Sequence, residues 1–127
     1  VNKMGVPLTN DFNGKDQKGV GLYQFMNKGG KRSSAAHAFI DIHKDNPNLN
    51  LKLQTKVEKI IIENNKAIGV EFKNQNGKIL KKYANKEVIL AAGSFITPKI
   101  LMLSGIGNKE ELSKFDINCI SNLPGVG

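Results

Sequence analysis

Glu87-Val88-Ile89-Leu90-Ala91-Ala92-Gly93-Ser94 is an almost continuous apolar run ending in small residues, and it constrains the fold more than any other stretch. Polar and apolar positions do not alternate in it, so neither face of the segment is built to meet water. Strands of this kind lie in parallel sheets covered on both sides by helices. The run therefore predicts an α/β architecture in which it forms a buried parallel strand. Its small terminal residues let another backbone or a ligand come close, because glycine has no Cβ to obstruct the approach.

Ahead of this run the hydrophobic period is two. Leu49, Leu51 and Leu53 alternate with Asn50, Lys52 and Gln54, and Val57-Glu58-Lys59-Ile60-Ile61-Ile62 follows; both stretches read as strands. Asn64-Asn65-Lys66 supplies a tight turn into Ala67-Ile68-Gly69-Val70-Glu71-Phe72. Asn74-Gln75-Asn76-Gly77 supplies another into Ile79-Leu80-Lys81-Lys82-Tyr83. Together these pieces predict an antiparallel β-meander.

Behind the run, Thr97-Pro98 opens a helix. Threonine can cap the first amides, and proline at the first helical position gives up an N–H that had no partner. Ile100, Leu101, Met102 and Leu103 continue the helix and Gly105 ends it. Asn108, with Glu111 three residues on, resembles a capping box for a second helix whose apolar side is Leu112 and Phe115. Asp116-Ile117-Asn118-Cys119-Ile120 reads as a short strand with a small buried thiol. A lone cysteine has no internal disulfide partner, and Cys119 is given no role.

The first 30 residues are polar and glycine-rich and read as loop and short strand. Gly19-Val20-Gly21 starts like a dinucleotide fingerprint, but Gln24 stands where the third glycine is needed. No apolar strand precedes it and no helix follows, so a pyrophosphate would find no helix N-terminus. Ser33 or Ser34 then caps a predicted helix of about three turns through Ile42, closed by Asp45-Asn46-Pro47. His37 and His43 fall about 120° apart around its axis at ~100° per residue, which argues against a metal pair. Arg32 reads as a surface ion-pair partner.

The net charge of +8 raises nucleic-acid binding as a function. The lysines, however, lie singly along the whole chain among Asn and apolar strand positions, and no nucleic-acid motif accompanies them. A lysine-rich solvated surface is the reading that results, with no specific nucleic-acid partner. No apolar stretch approaches the roughly 20 residues that span a bilayer.

Gly93-Ser94-x-x-Thr97-Pro98-x-Ile100-Leu101-x-x-Ser104-Gly105-Ile106-Gly107 resembles the second signature of the glucose-methanol-choline (GMC) oxidoreductases at every fixed position. Three further pieces resemble the family in the same order. They are Arg32-Ser33-Ser34-Ala35-Ala36 leading into a helix, the V-x-x-I and A-x-G-V-x-F hairpin over residues 57 to 72, and Leu123-Pro124-Gly125-Val126-Gly127.

The resemblance implies an FAD-dependent enzyme that oxidises a small-molecule alcohol by hydride transfer to the flavin, with the redox chemistry supplied by the cofactor. It implies a partial, Rossmann-like FAD-binding domain of the two-layer flavoprotein kind, with the meander leading back into a parallel sheet. Residues 1–30 would be a linker or the edge of a substrate domain, and residues 31–127 part of the FAD-binding domain. The family's N-terminal glycine motif and C-terminal catalytic histidine have no counterpart here, so both ends read as cut and no catalytic residue is assigned. Val57 would meet the adenine through its backbone N–H and C=O, and Ala92, Gly93 and Ser94 would lie near the adenosine half of FAD. Ser104 is not expected to be a nucleophile, because no histidine and acid are arranged around it. The alternative is a non-catalytic remnant or basic binding module built on the same segment.

Overall fold

A computed structural model describes residues 2–127, which form two compact units divided between Asn50 and Leu51. In the first unit a short helical turn, Asn2–Met4, precedes a single parallel bridge between Leu8 and Val20. The Val20 amide donates to the Pro7 carbonyl at 2.9 Å, and the Thr9 amide to the Val20 carbonyl at 3.0 Å. Gly19 and Gly21 thus flank a chain crossing, consistent with their exclusion as a phosphate loop. Phe12 and Tyr23 stack with ring centroids 4.8 Å apart. A minimal hairpin follows, β1 (Asn27–Lys28) with β2 (Lys31–Arg32).

The predicted early helix is present but irregular. A wide turn over Ala36–Ile40, in which the Asp41 amide donates to the Ala36 carbonyl, runs into a tight turn over Asp41–His43. Ser34 is the capping serine, its Oγ accepting the His37 amide at 3.2 Å. His37 Nδ1 lies 3.2 Å from Asp41 Oδ2, one turn along. The surface ion pair expected at Arg32 is absent among the described residues. Arg32 is exposed on the two-residue strand β2, where no carboxylate is brought near it.

The second unit is built on the predicted meander: β3 (Lys56–Glu63), β4 (Lys66–Lys73) and β5 (Ile79–Tyr83), antiparallel in the order β3-β4-β5. Asn64 and Asn65 take φ of 50° and 60°, the left-handed pair that a two-residue hairpin needs, and asparagine tolerates it well. At the second turn Asn74 Oδ1 accepts the amides of Asn76 and Lys78. Two β-bulges interrupt the β3–β4 ladder, with Glu58 extra on β3 and Ile68 extra on β4. Ile60 and Phe72 are buried within the sheet.

Two predicted strands do not form. Residues 49–54 and 87–92 carry the right periods, but no strand among the described residues runs beside either, and an unpaired ladder leaves its polar groups to water. Leu49, Leu51 and Leu53 are exposed, and Ile89 is 79% exposed. The last sheet bond is donated by the Ala84 amide to the Ile68 carbonyl, after which the chain leaves β5.

Helix α1 (Gly93–Leu103) begins four residues before the predicted Thr97-Pro98 opening, which places Pro98 inside it. Thr97 still serves the helix start, because its Oγ1 accepts the Ala92 amide at 3.1 Å. The helix stops at Gly105, whose φ of +84° favours glycine and where a Cβ would meet the Asn118 carbonyl oxygen at 2.5 Å. β6 (Ile106–Gly107) then pairs in parallel with β7 (Ser121–Asn122), so the terminal strand lies just beyond the 116–120 stretch read from sequence. Between them α2 (Lys109–Ser113) is capped as predicted by Asn108, whose Oδ1 accepts the amides of Glu110 and Glu111. Glu111 does not complete a capping box, since its carboxylate is held by Lys114 Nζ at 2.7 Å. Leu112 is fully buried, whereas Phe115 is exposed just past the end of α2. Cys119 is a half-buried free thiol outside any strand. No helix of the described residues is long and apolar enough to cross a membrane.

Candidate functional site

β3 is an edge strand, and its start faces one side of α1, from Ile96 to Leu103, across a cleft of about 520 Å³. Val57 and Glu58 line one side, residues 89–92 another, and Ile96, Lys99 and Ile100 of α1 the third. The volume falls among ligand pockets, about 300–1,000 Å³. Val57 stands opposite Phe72 and is followed at once by the Glu58 bulge. Bulges are common beside functional sites, because they re-aim the groups on either side.

Two of the four residues singled out from sequence meet here. Val57 and Ala92, far apart in the chain, line the same cleft. The Ala92 amide is taken up by Thr97, so the residue borders the cleft without a free N–H. Gly93 follows at the start of α1 with φ +87°, and the space a Cβ would fill there holds no atom within 4 Å. Ser94 is not brought to the cleft. It borders a separate apolar hollow of about 750 Å³ with Phe95, Met102, Leu112 and Phe115.

The walls of the cleft are apolar and its charge is basic on balance. Lys56 is paired with Glu58 at 3.0 Å, and Lys99 adds a positive charge with no carboxylate within ion-pairing distance among the described residues. That balance suits a nucleotide, whose base packs on apolar walls while its phosphates seek cations. Among the described residues no cluster of three or more His, Cys, Asp or Glu could hold a metal ion.

Sequence reading missed the group that holds the cleft together. Ser104, 6% exposed, accepts the Ile60 amide at 2.8 Å and donates its hydroxyl proton to the Ile100 carbonyl at 2.6 Å. One hydroxyl thus ties β3 to the C-terminal part of α1. The signal was a serine at a fixed position between apolar residues of a helix end, where a buried hydroxyl must find partners.

Comparison with known proteins bears on the family and the fold. The profile of the N-terminal domain of the GMC oxidoreductases matches residues 1–127. Mitochondrial choline dehydrogenase of Homo sapiens is 43% identical over 123 residues, covering 97% of this chain and 20% of that protein. An FAD-dependent oxidoreductase structure from Chaetomium thermophilum superposes with a TM-score of 0.73 at 42% identity, over 76% of this chain and 17% of its own. Pyridoxine 4-oxidase from Mesorbium loti gives a TM-score of 0.83 at 25% identity, over 97% of this chain and 24% of its own. The chain therefore spans about a fifth of the length of the relatives it matches. Its fold is mixed α/β, with the three-stranded antiparallel sheet at its centre. By its signature residues, its fold and its match over the whole length, the chain belongs to the GMC oxidoreductase family.

Proposed function

We propose that this chain contributes to the FAD site of an oxidoreductase acting on the CH–OH group of a small alcohol. The observation that carries the reading is the convergence of Val57 and Ala92 on one apolar, basic-edged cleft. Val57 would offer backbone polar groups to the adenine edge, as an extended segment beside a bulge can. Ala92 lines the cleft, and Gly93, beside open space where a Cβ would stand, would leave room for the adenosine half. Ser94 is the weakest member of the set, because it borders the other hollow. When bound, FAD supplies the hydride acceptor; the residues here hold and orient it.

In the same reading, residues 1–30 form a linker or the edge of a substrate domain, and residues 31–127 are part of a Rossmann-like FAD-binding domain. Residues 87–92 would be its buried parallel strand once neighbouring strands flank them. The cleft holds no histidine, and its one carboxylate, Glu58, is paired with Lys56 at 3.0 Å, so this chain by itself is not expected to turn over substrate.

Titration of the 127-residue chain with FAD, followed by flavin fluorescence, tests the binding claim. Val57→Pro, which removes the amide, should weaken binding about tenfold, whereas Val57→Ile should leave it within about twofold. Equal affinity in both variants would remove Val57 from the site. Turnover assays with FAD, a panel of primary alcohols and an artificial electron acceptor should give no activity. Flavin-dependent activity of this chain would overturn the assignment of catalysis elsewhere.

A further inference from the structure

We infer that Ser104 is a positioning residue for the cleft, its buried hydroxyl setting the separation between Val57 and Ala92; the inference rests on the FAD reading above. The pin is placed to do this. Ile60, whose amide Ser104 accepts, lies three residues along β3 from Val57. Ile100, whose carbonyl Ser104 engages twice, through Oγ at 2.6 Å and through its amide at 3.1 Å, is itself a wall of the cleft and only 3% exposed. Both sides of the cleft are therefore referenced to one oxygen atom.

On the β3 side the bond has no substitute, whereas the Ile100 carbonyl keeps the Ser104 amide at 3.1 Å. The Ile60 amide leaves β3 on its outer edge, where no strand pairs among the described residues, and Ser104 is its partner there. From Ile100 to Ala92 the helix runs about 12 Å at 1.5 Å per residue, so a tilt of about 5° at the pin displaces Ala92 by about 1 Å. Displacements of that size are enough to spoil a preorganised site. Pro98 lies between the pin and the helix start and removes one ladder bond from that stretch, so the N-terminal part of α1 relies the more on being held from its far end.

The test uses the full 127-residue chain with FAD, and with ADP as a probe for the adenosine half. Ser104→Ala deletes both side-chain bonds, Ser104→Cys keeps the size with a weaker donor and acceptor, and Ser113→Ala removes an exposed hydroxyl bonded only within α2. Affinities are measured where circular dichroism finds each variant fully folded, and exchange of the Ile60 amide is followed alongside. Ser104→Ala should raise the dissociation constants of FAD and ADP together by about tenfold, and Ser104→Cys by about threefold, with Ser113→Ala unchanged. A folded variant with fast Ile60 exchange but wild-type affinity for both ligands would make Ser104 a stability element only. If Ser104→Ala does not fold, unchanged affinity in Ser104→Cys overturns the inference by itself. Failure of the wild-type chain to bind either ligand would instead sink the FAD reading, and this inference with it.

Discussion

The strands of the β-meander are only about half apolar and the run at residues 87–92 is apolar in all but Glu87, yet the first is an ordered sheet and the second an unpaired, largely exposed strand sequence. The difference is where their partners lie. Each strand of the meander finds its neighbour within a few residues across a tight turn, so the pairing is local and its closure entropy is small. The run at 87–92 is patterned for partners on both sides, and none of the described strands pairs with it. Hydrophobic pattern alone says what a segment can bury; it does not provide the surface that buries it.

The strongest way to break this contrast is Phe72→Ala in the central strand β4. Phe72 is 7% exposed, and truncating a buried phenylalanine costs about 3–5 kcal/mol, enough to unfold much of a unit this small. Urea denaturation followed by circular dichroism should find most of the cooperative transition lost. A change below ~1 kcal/mol would mean that the meander is not the core. Next in size is Ser104→Ala, which leaves the buried Ile60 amide without its partner and should cost about 1–3 kcal/mol. That loss measures how far the sheet leans on α1 and how far it stands by itself. Asn65→Val sets a β-branched residue at φ 60° and should cost about 1–2 kcal/mol, a direct measure of how much the local turn contributes.

The features legible in the sequence are those whose physics is local. Asn64-Asn65 announced a hairpin because both residues tolerate the left-handed region, and Asn108 announced a helix start because its side chain reaches only two and three residues ahead. What escaped notice depends on residues distant in the chain. The bond from Ile60 to Ser104 spans 44 positions, and the bulges at Glu58 and Ile68 exist only relative to the opposite strand. Thr97 was recognised as a helix-start residue, but its hydroxyl holds the Ala92 amide and the helix begins earlier, a choice made by tertiary geometry. For the site, family resemblance pointed to Val57 and to Ala92, Gly93 and Ser94. Only the folded chain brings Val57 and Ala92 into one cleft and turns Ser94 towards another hollow.

The smallest expected effect sharpens the comparison most, because it depends on context. Ile89 is 79% exposed, so Ile89→Lys in this chain removes almost no buried surface and should change stability by less than about 0.5 kcal/mol. If residues 87–92 are a parallel strand waiting for neighbours, the same substitution in a longer GMC protein that supplies them should be severe. A lysine would then be buried between sheet and helices without a counter-ion, a cost of several kcal/mol. Thermal denaturation of the two pairs of proteins reads the difference directly. A similar small loss in both would mean that the run is a surface segment by design, and that its apolar sequence serves the cleft it lines beside Val57 and not a sheet.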